Sequence, residues 1–201
     1  MTVWYDAAFF GAISAALGTC AYLPYIRDTL QGRTQPQRAS WLIWSVLCVI
    51  AFFVQLHEGA THSLWFAGAM VSGTLSVFLL SLRYGTGGLL CRRDCTVLAL
   101  AAGGLAAWYI TETAAFALMI TISISFLGGV ITVAKAYKTP HTETFSKWFT
   151  SLGASVFALL SVQTYDPLLL AYPMYLLVLN SSIVTALALG ALRDRQIIPA
   201  E

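Results

Sequence analysis

Asn180 is the only asparagine in the chain, and it interrupts an apolar run near the C-terminus, followed at once by Ser181 and Ser182. A side-chain amide among apolar neighbours needs a hydrogen-bond partner. It therefore either ties two helices together or faces a polar solute. Two hydroxyl clusters raise the same alternative: Ser72, Thr74 and Ser76, then Thr121, Ser123 and Ser125. On a helix, residues two apart point to different faces, so neither cluster can line one cavity completely. Packing of small residues is the other reading. Trp44 and Trp148 offer ring faces on which a sugar or base could stack, or they anchor helix ends at a membrane surface. Pro24 removes one helical hydrogen bond, which marks either a hinge or a helix end.

Other chemistries lack their residues. His57 and His62 flank Glu58, but their spacing is i, i+5, whereas two ligands on one helical face need i, i+4. Cys91 and Cys95 have no third ligand nearby, so no metal site is expected. There is no glycine-rich phosphate loop, nucleophile elbow or carboxylate dyad, and no lysine in the middle of the last apolar run. The expectation is a protein that is not an enzyme and uses no cofactor. No ionisable residue falls near the middle of any apolar run, which favours uncoupled movement if a solute crosses.

These residues must be positioned by membrane helices. The chain is 58% hydrophobic and 10% charged, with a mean hydropathy of +0.75. That is too little charge to coat a water-exposed surface. The eleven Lys and Arg residues form four groups: Arg27, Arg33 and Arg38; Arg83, Arg92 and Arg93; Lys135, Lys138 and Lys147; Arg193 and Arg195. The intervening turns carry only His57, Glu58, His62, Glu112 and Asp166. The basic segments hold eleven bases against five acids, a balance of +6. The opposite end has Asp6, Glu58, Glu112 and Asp166 and no base, a balance of −4. Basic loops remain in the cytoplasm, so this alternation reads as a topology. It predicts seven spans, at about 7–26, 39–56, 63–82, 95–111, 113–134, 148–164 and 167–192. The N-terminus would lie outside and the C-terminus inside, in the inner membrane. Trp4, Trp65 and Trp108 fall near the acidic ends, and Trp41, Trp44 and Trp148 near the basic ends, as an aromatic belt would. The acidic rim would raise the local concentration of cationic solutes or simply obey topology. No basic stripe extends far enough for nucleic acid.

An internal repeat is also present. Pro36-Gln-Arg-Ala-Ser-Trp-Leu-Ile-Trp44 aligns with Pro140-His-Thr-Glu-Thr-Phe-Ser-Lys-Trp148, and Asp6-Ala-Ala-Phe9 with Thr113-Ala-Ala-Phe116. Two like-oriented copies of three helices require one extra crossing between them. The fold class expected is thus all-α, seven transmembrane helices in two parallel three-helix bundles joined by a linker helix (3+1+3). The divisions are a first repeat over 1–85, a loop and linker helix over 86–112, a second repeat over 113–193 and a tail over 194–201. Ser76 and Asn180 fall at comparable places in the two copies.

This plan, with basic loops after the first and fifth spans, resembles the PQ-loop and SWEET-like superfamily. Gly18-Thr-Cys-Ala-Tyr-Leu-Pro24-Tyr25 has the family's proline, with Tyr25 in place of its glutamine, while Ala134 and Lys135 occupy the second site. The family's solute-gripping positions match Phe52 or Phe53 and Ser72 in the first repeat. The resemblance implies an alternating-access facilitator. Its candidate binding residues are Asn180, Ser76, Ser72, Phe53 and Thr121, with Pro24, Trp44 and Trp148 as hinge or gate. The expected function is uncoupled transport of a small polar or mildly cationic solute. The alternative is a non-transporting receptor or assembly partner with the same topology. Expected partners are that solute and the lipid bilayer, with self-association into a homo-oligomer left open.

Overall fold

The computed structural model describes residues 7–57, 63–88, 99, 103, 106, 114–162 and 167–197. These are helical throughout, apart from loops and one isolated bridge between Gln37 and Thr86. Apolar runs in lipid must satisfy their own backbone groups, and a helix does so within a single segment. The elements are α1 (Ala7–Cys20), α2 (Tyr22–Leu30), α3 (Arg38–His57), α4 (Ser63–Tyr84), α5 (Ala114–Lys138), a 3-10 turn at Pro140–Thr142, α6 (Phe145–Leu160) and α7 (Pro167–Ile197). Three stretches are long and apolar enough to cross a membrane: Phe9–Leu30, Leu118–Lys138 and Leu170–Gln196. Arg38–Phe53, Gly68–Tyr84 and Phe145–Leu160 are shorter apolar helices. The expected fourth span lies outside the described residues except at positions 99, 103 and 106.

The first apolar segment is interrupted rather than reversed. Pro24 cannot donate to the carbonyl of Cys20. The regular helix breaks there, although Ala21 keeps helical angles (φ −59°, ψ −24°) and donates to the Leu17 carbonyl at 2.9 Å. α2 then ends on Gly32, whose φ of +72° suits a residue without Cβ. Gly32 N–H bonds the Thr29 carbonyl at 3.0 Å and Arg33 N–H bonds the Asp28 carbonyl at 2.9 Å, so this helix end leaves few carbonyls unpaired. Pro173, by contrast, is accommodated inside a continuous α7.

The helices close into a ring. In order, α1–α2 packs on α6, α6 on α7, α7 on α5, α5 on α3, α3 on α4, and α4 returns to α1–α2. Both halves of the chain share one packing order. The third helix of each (α4, α7) lies between the first (α1–α2, α5) and the second (α3, α6), and the first helix of each half packs on the second of the other. The outer surface carries large apolar side chains, including Phe53, Leu79, Met119, Phe126, Phe149 and Val178, as a lipid-facing ring should.

Close approach between α5 and α7 depends on Gly190. A Cβ there would stand 2.6 Å from the Tyr137 carbonyl oxygen and 3.2 Å from that of Ala136. Backbone atoms cannot rotate aside, so Gly190→Ala must separate the two helices. We expect a loss of about 1–3 kcal/mol, read as a lower melting temperature of the detergent-purified protein.

The basic segments gather at one end of the ring. The loop after α2 meets the loop after α5: Gln35 N–H donates to the Thr142 carbonyl at 2.9 Å, and the Thr34 and Thr144 hydroxyls pair at 2.5 Å. Arg38 closes the end of α4 by donating to the carbonyls of Ser81 (2.9 Å) and Gly87 (2.6 Å). Arg193 donates to the Lys138 carbonyl at 3.0 Å. The acidic turns expected at the other end lie outside the described residues.

Candidate functional site: a central cavity floored by aromatic rings and one lysine

The ring encloses a cavity of about 680 Å³, lined by residues from all six apolar segments. That volume suits a small organic ligand. Its walls are mainly apolar, with hydroxyls at Ser14, Thr74, Thr121, Ser125, Ser151, Ser155 and Ser161 and one amide at Asn180. Toward the basic end the lining becomes aromatic: Tyr22, Trp41, Trp44 and Trp148, with Lys147 among them. Trp41 and Trp44 meet edge to face at 5.3 Å, and Trp44 and Trp148 at 6.1 Å. The Tyr22 ring is held against Gly73, where a Cβ would approach within 2.7 Å of it.

Several wall hydroxyls are tied to the frame. Ser14 donates to the Ala154 carbonyl at 2.8 Å, joining α1 to α6. Thr74 donates to the Met70 carbonyl at 2.8 Å, within its own helix. Tyr175 donates to Ser125 at 2.8 Å, joining α7 to α5. Asn180 Nδ2 donates to Ser155 Oγ at 2.8 Å and to the Ser151 carbonyl at 3.4 Å, joining α7 to α6. Its amide nitrogen holds a neighbouring helix while the residue lines the cavity. Its Oδ1 makes no hydrogen bond among the described residues.

Below the aromatic layer lies a buried carboxylate, Glu143, 8% exposed. Its Oε1 pairs with Lys135 at 2.6 Å. Its Oε2 accepts from the Tyr25 hydroxyl at 3.0 Å and from Trp148 Nε1 at 2.9 Å. Trp41 Nε1 donates to the Tyr25 hydroxyl at 3.3 Å. Lys135 also donates to the carbonyls of Gln35 and, at 3.3 Å, Thr142. This network spans both halves of the chain, because Tyr25, Gln35 and Trp41 belong to the first and Lys135, Glu143 and Trp148 to the second. The Tyr25 hydroxyl and the Gln35 carbonyl make the crossing.

The expected site residues divide. Asn180, Thr121, Trp44 and Trp148 line the cavity. Ser72, Ser76 and Phe53 do not: Ser72 and Ser76 are exposed on the outer face of α4, and Phe53 is 60% exposed. The reason is rotation of the helix. Thr74, two residues from each serine, takes the inward face, and at the second cluster Thr121 and Ser125 face in while Ser123 faces out. Trp41 and Trp148 are 2% exposed, so they and the half-buried Trp44 form part of the interior rather than an outer belt. Pro24 lies outside the lining but sits one turn past the break between α1 and α2.

Lys147 is the largest departure. Assigned by its charge to a loop, it lies inside α6, because that helix begins at Phe145. It is 6% exposed and lines the cavity. The partial signal in the sequence was periodicity: Trp148, Ser151 and Ser155 recur at i, i+3 and i+7, a polar stripe on an otherwise apolar helix. Among the described residues no cluster of His, Cys, Asp or Glu could hold a metal ion.

Comparison with family models, curated proteins and solved structures finds no match.

Proposed function

We propose that the chain is a facilitative, alternating-access transporter of a small polar solute, with a 3+1+3 plan in which the fourth apolar run supplies the linker crossing. The N-terminus lies outside and the C-terminus in the cytoplasm of the inner membrane. The observation that carries this reading is a ring of helices, alike in packing order in both halves, around a cavity underlain on the basic side by a network joining those halves. Such an arrangement supports alternating access: the network would hold the cytoplasmic side together in one state and part in the other as the halves rock about the bound solute. The break before Pro24 supplies a place for α1 and α2 to bend relative to one another. The acidic turns suggested a cationic solute, but among the described residues no acid lines the cavity, and that option finds no support there.

Counterflow of a panel of sugars, amino acids and organic acids into proteoliposomes tests the reading. Asn180→Ala is expected to reduce counterflow at least tenfold while the protein still elutes as a single species in mild detergent. Undiminished counterflow would remove Asn180 from the site. Solute binding without any counterflow would favour the receptor alternative.

A further inference from the structure

We propose that the cavity takes a small organic monocarboxylate, with Lys147 Nζ as the group that receives its carboxylate. This rests on the cavity being a ligand site, as the transporter reading requires, and adds the charge of the ligand.

The argument begins with the neighbours of Lys147. Its Nζ lies 3.2 Å from the Trp148 ring centre and 5.4 Å from that of Trp41. It makes no hydrogen bond or ion pair among the described residues. The nearest carboxylate in sequence, Glu143, lies four residues earlier, before the helix begins, and is already engaged. Lys135 neutralises its charge, and the Tyr25 hydroxyl and the Trp148 indole occupy its second oxygen. Lys135 and Glu143 together are neutral, so Glu143 attracts Lys147 only weakly and at longer range, and Lys147 has no ion-pair partner among the described residues.

Among the described residues no other charged side chain lines the cavity. When Lys147 is protonated the lining therefore presents one positive charge and three N–H donors not used by the protein. A buried ammonium without an anion is costly, and contact with indole rings recovers only part of that cost. A ligand bearing one negative charge supplies what is missing. A dianion would bring a second charge with no partner in the lining. A cation would meet repulsion. The body of the ligand is set by the rest of the lining: flat rings at Tyr22, Trp41 and Trp44, apolar walls, and hydroxyls higher up. These fit an aromatic or apolar acid better than a polyhydroxylated one.

Benzoate, benzamide and benzylamine share one shape and differ in charge, which makes them suitable probes. Melting of the purified protein in a neutral detergent is followed with each, alongside sodium chloride, sodium phosphate and phosphatidylglycerol-doped micelles. Benzoate is expected to raise the melting temperature, with half-saturation at a concentration at least tenfold lower than benzamide, and benzylamine to have no effect. Lys147→Met should melt no lower than the wild type, because it removes a buried cation without an ion-pair partner, yet lose the benzoate response. Lys147→Arg should retain the response. Equal responses to benzoate and benzamide, or a benzoate response that survives in Lys147→Met, would overturn the proposal. So would a wild type that ignores benzoate, or one that responds equally to chloride, phosphate or anionic lipid. Should Lys147→Met fail to fold, the three probes on the wild-type protein decide by themselves. Benzoate binding without counterflow would leave this inference standing and remove the transporter reading instead.

Discussion

Glu143→Ala should lower the melting temperature of the detergent-purified protein by on the order of 10 °C. The carboxylate bonds three groups, Lys135, Tyr25 and Trp148, and its side chain is 1% exposed against 10% for Lys135. Its removal leaves the Lys135 ammonium without an anion, and the Tyr25 hydroxyl and Trp148 indole without an acceptor. Breaking a buried pair by deleting one partner costs about 3–5 kcal/mol, more than the intact pair adds over a well-packed apolar substitute. The paired control is Glu143→Gln, which keeps an acceptor for Tyr25 and Trp148 but loses the charge. It should fall between wild type and Glu143→Ala. A melting temperature for Glu143→Ala within about 2 °C of wild type, roughly the effect of a 1 kcal/mol change, would mean that the network contributes little. The same variants test the floor as a gate: if the network holds the two halves together, Glu143→Gln should shift the resting distribution toward opening on the basic side. The native Cys48, which lines the cavity, would then react faster with a thiol reagent applied from that side.

Trp148→Ala is the second large effect expected. Trp148 is 2% exposed and packs with Ala136, Ile183, Ala186 and Leu187, with Trp44 against the same cluster. Truncating a buried tryptophan costs about 3–5 kcal/mol through lost packing and the cavity left behind. Two further losses are particular to this place. Glu143 loses its indole donor, and Lys147 loses the ring against which it lies. Trp148→Phe keeps much of the packing and a ring for Lys147 but no N–H, so it should recover more than half of the loss. Because Trp148 and Glu143 are hydrogen-bonded, the double variant Glu143→Ala with Trp148→Ala should be less destabilised than the two single effects added together. Additivity of the melting shifts would show the contact to be energetically silent.

The residues that form this floor illustrate how far one-dimensional reading reaches. The grouping of Lys and Arg into separated clusters identified which loops belong together, and Arg38, Lys135 and Arg193 do meet at one end of the ring. The run lengths between them located six of the apolar helices to within a few residues. Pro24 announced a break, and the break is there. The alignment of Trp44 with Trp148 paired two residues whose rings now stand 6.1 Å apart.

What the chain order alone determined was therefore the set of apolar helices, the likeness of its two halves and the end at which the positive charge collects. These follow from local chemistry: backbone groups in lipid demand helices, and charge demands water or a partner. Which face of each helix turns inward was decided only in the folded ring. Lipid and protein interior are both apolar, so a membrane helix carries almost no amphipathic signal. Ser72 and Ser76 could not be told from Thr74, nor Ser123 from Thr121 and Ser125, until α4 and α5 were packed. Lys147 was invisible for a related reason. A cation in an apolar sequence reads as the end of a helix, and only the folded ring shows Lys147 lining a cavity while Glu143, four residues earlier, is paired with Lys135.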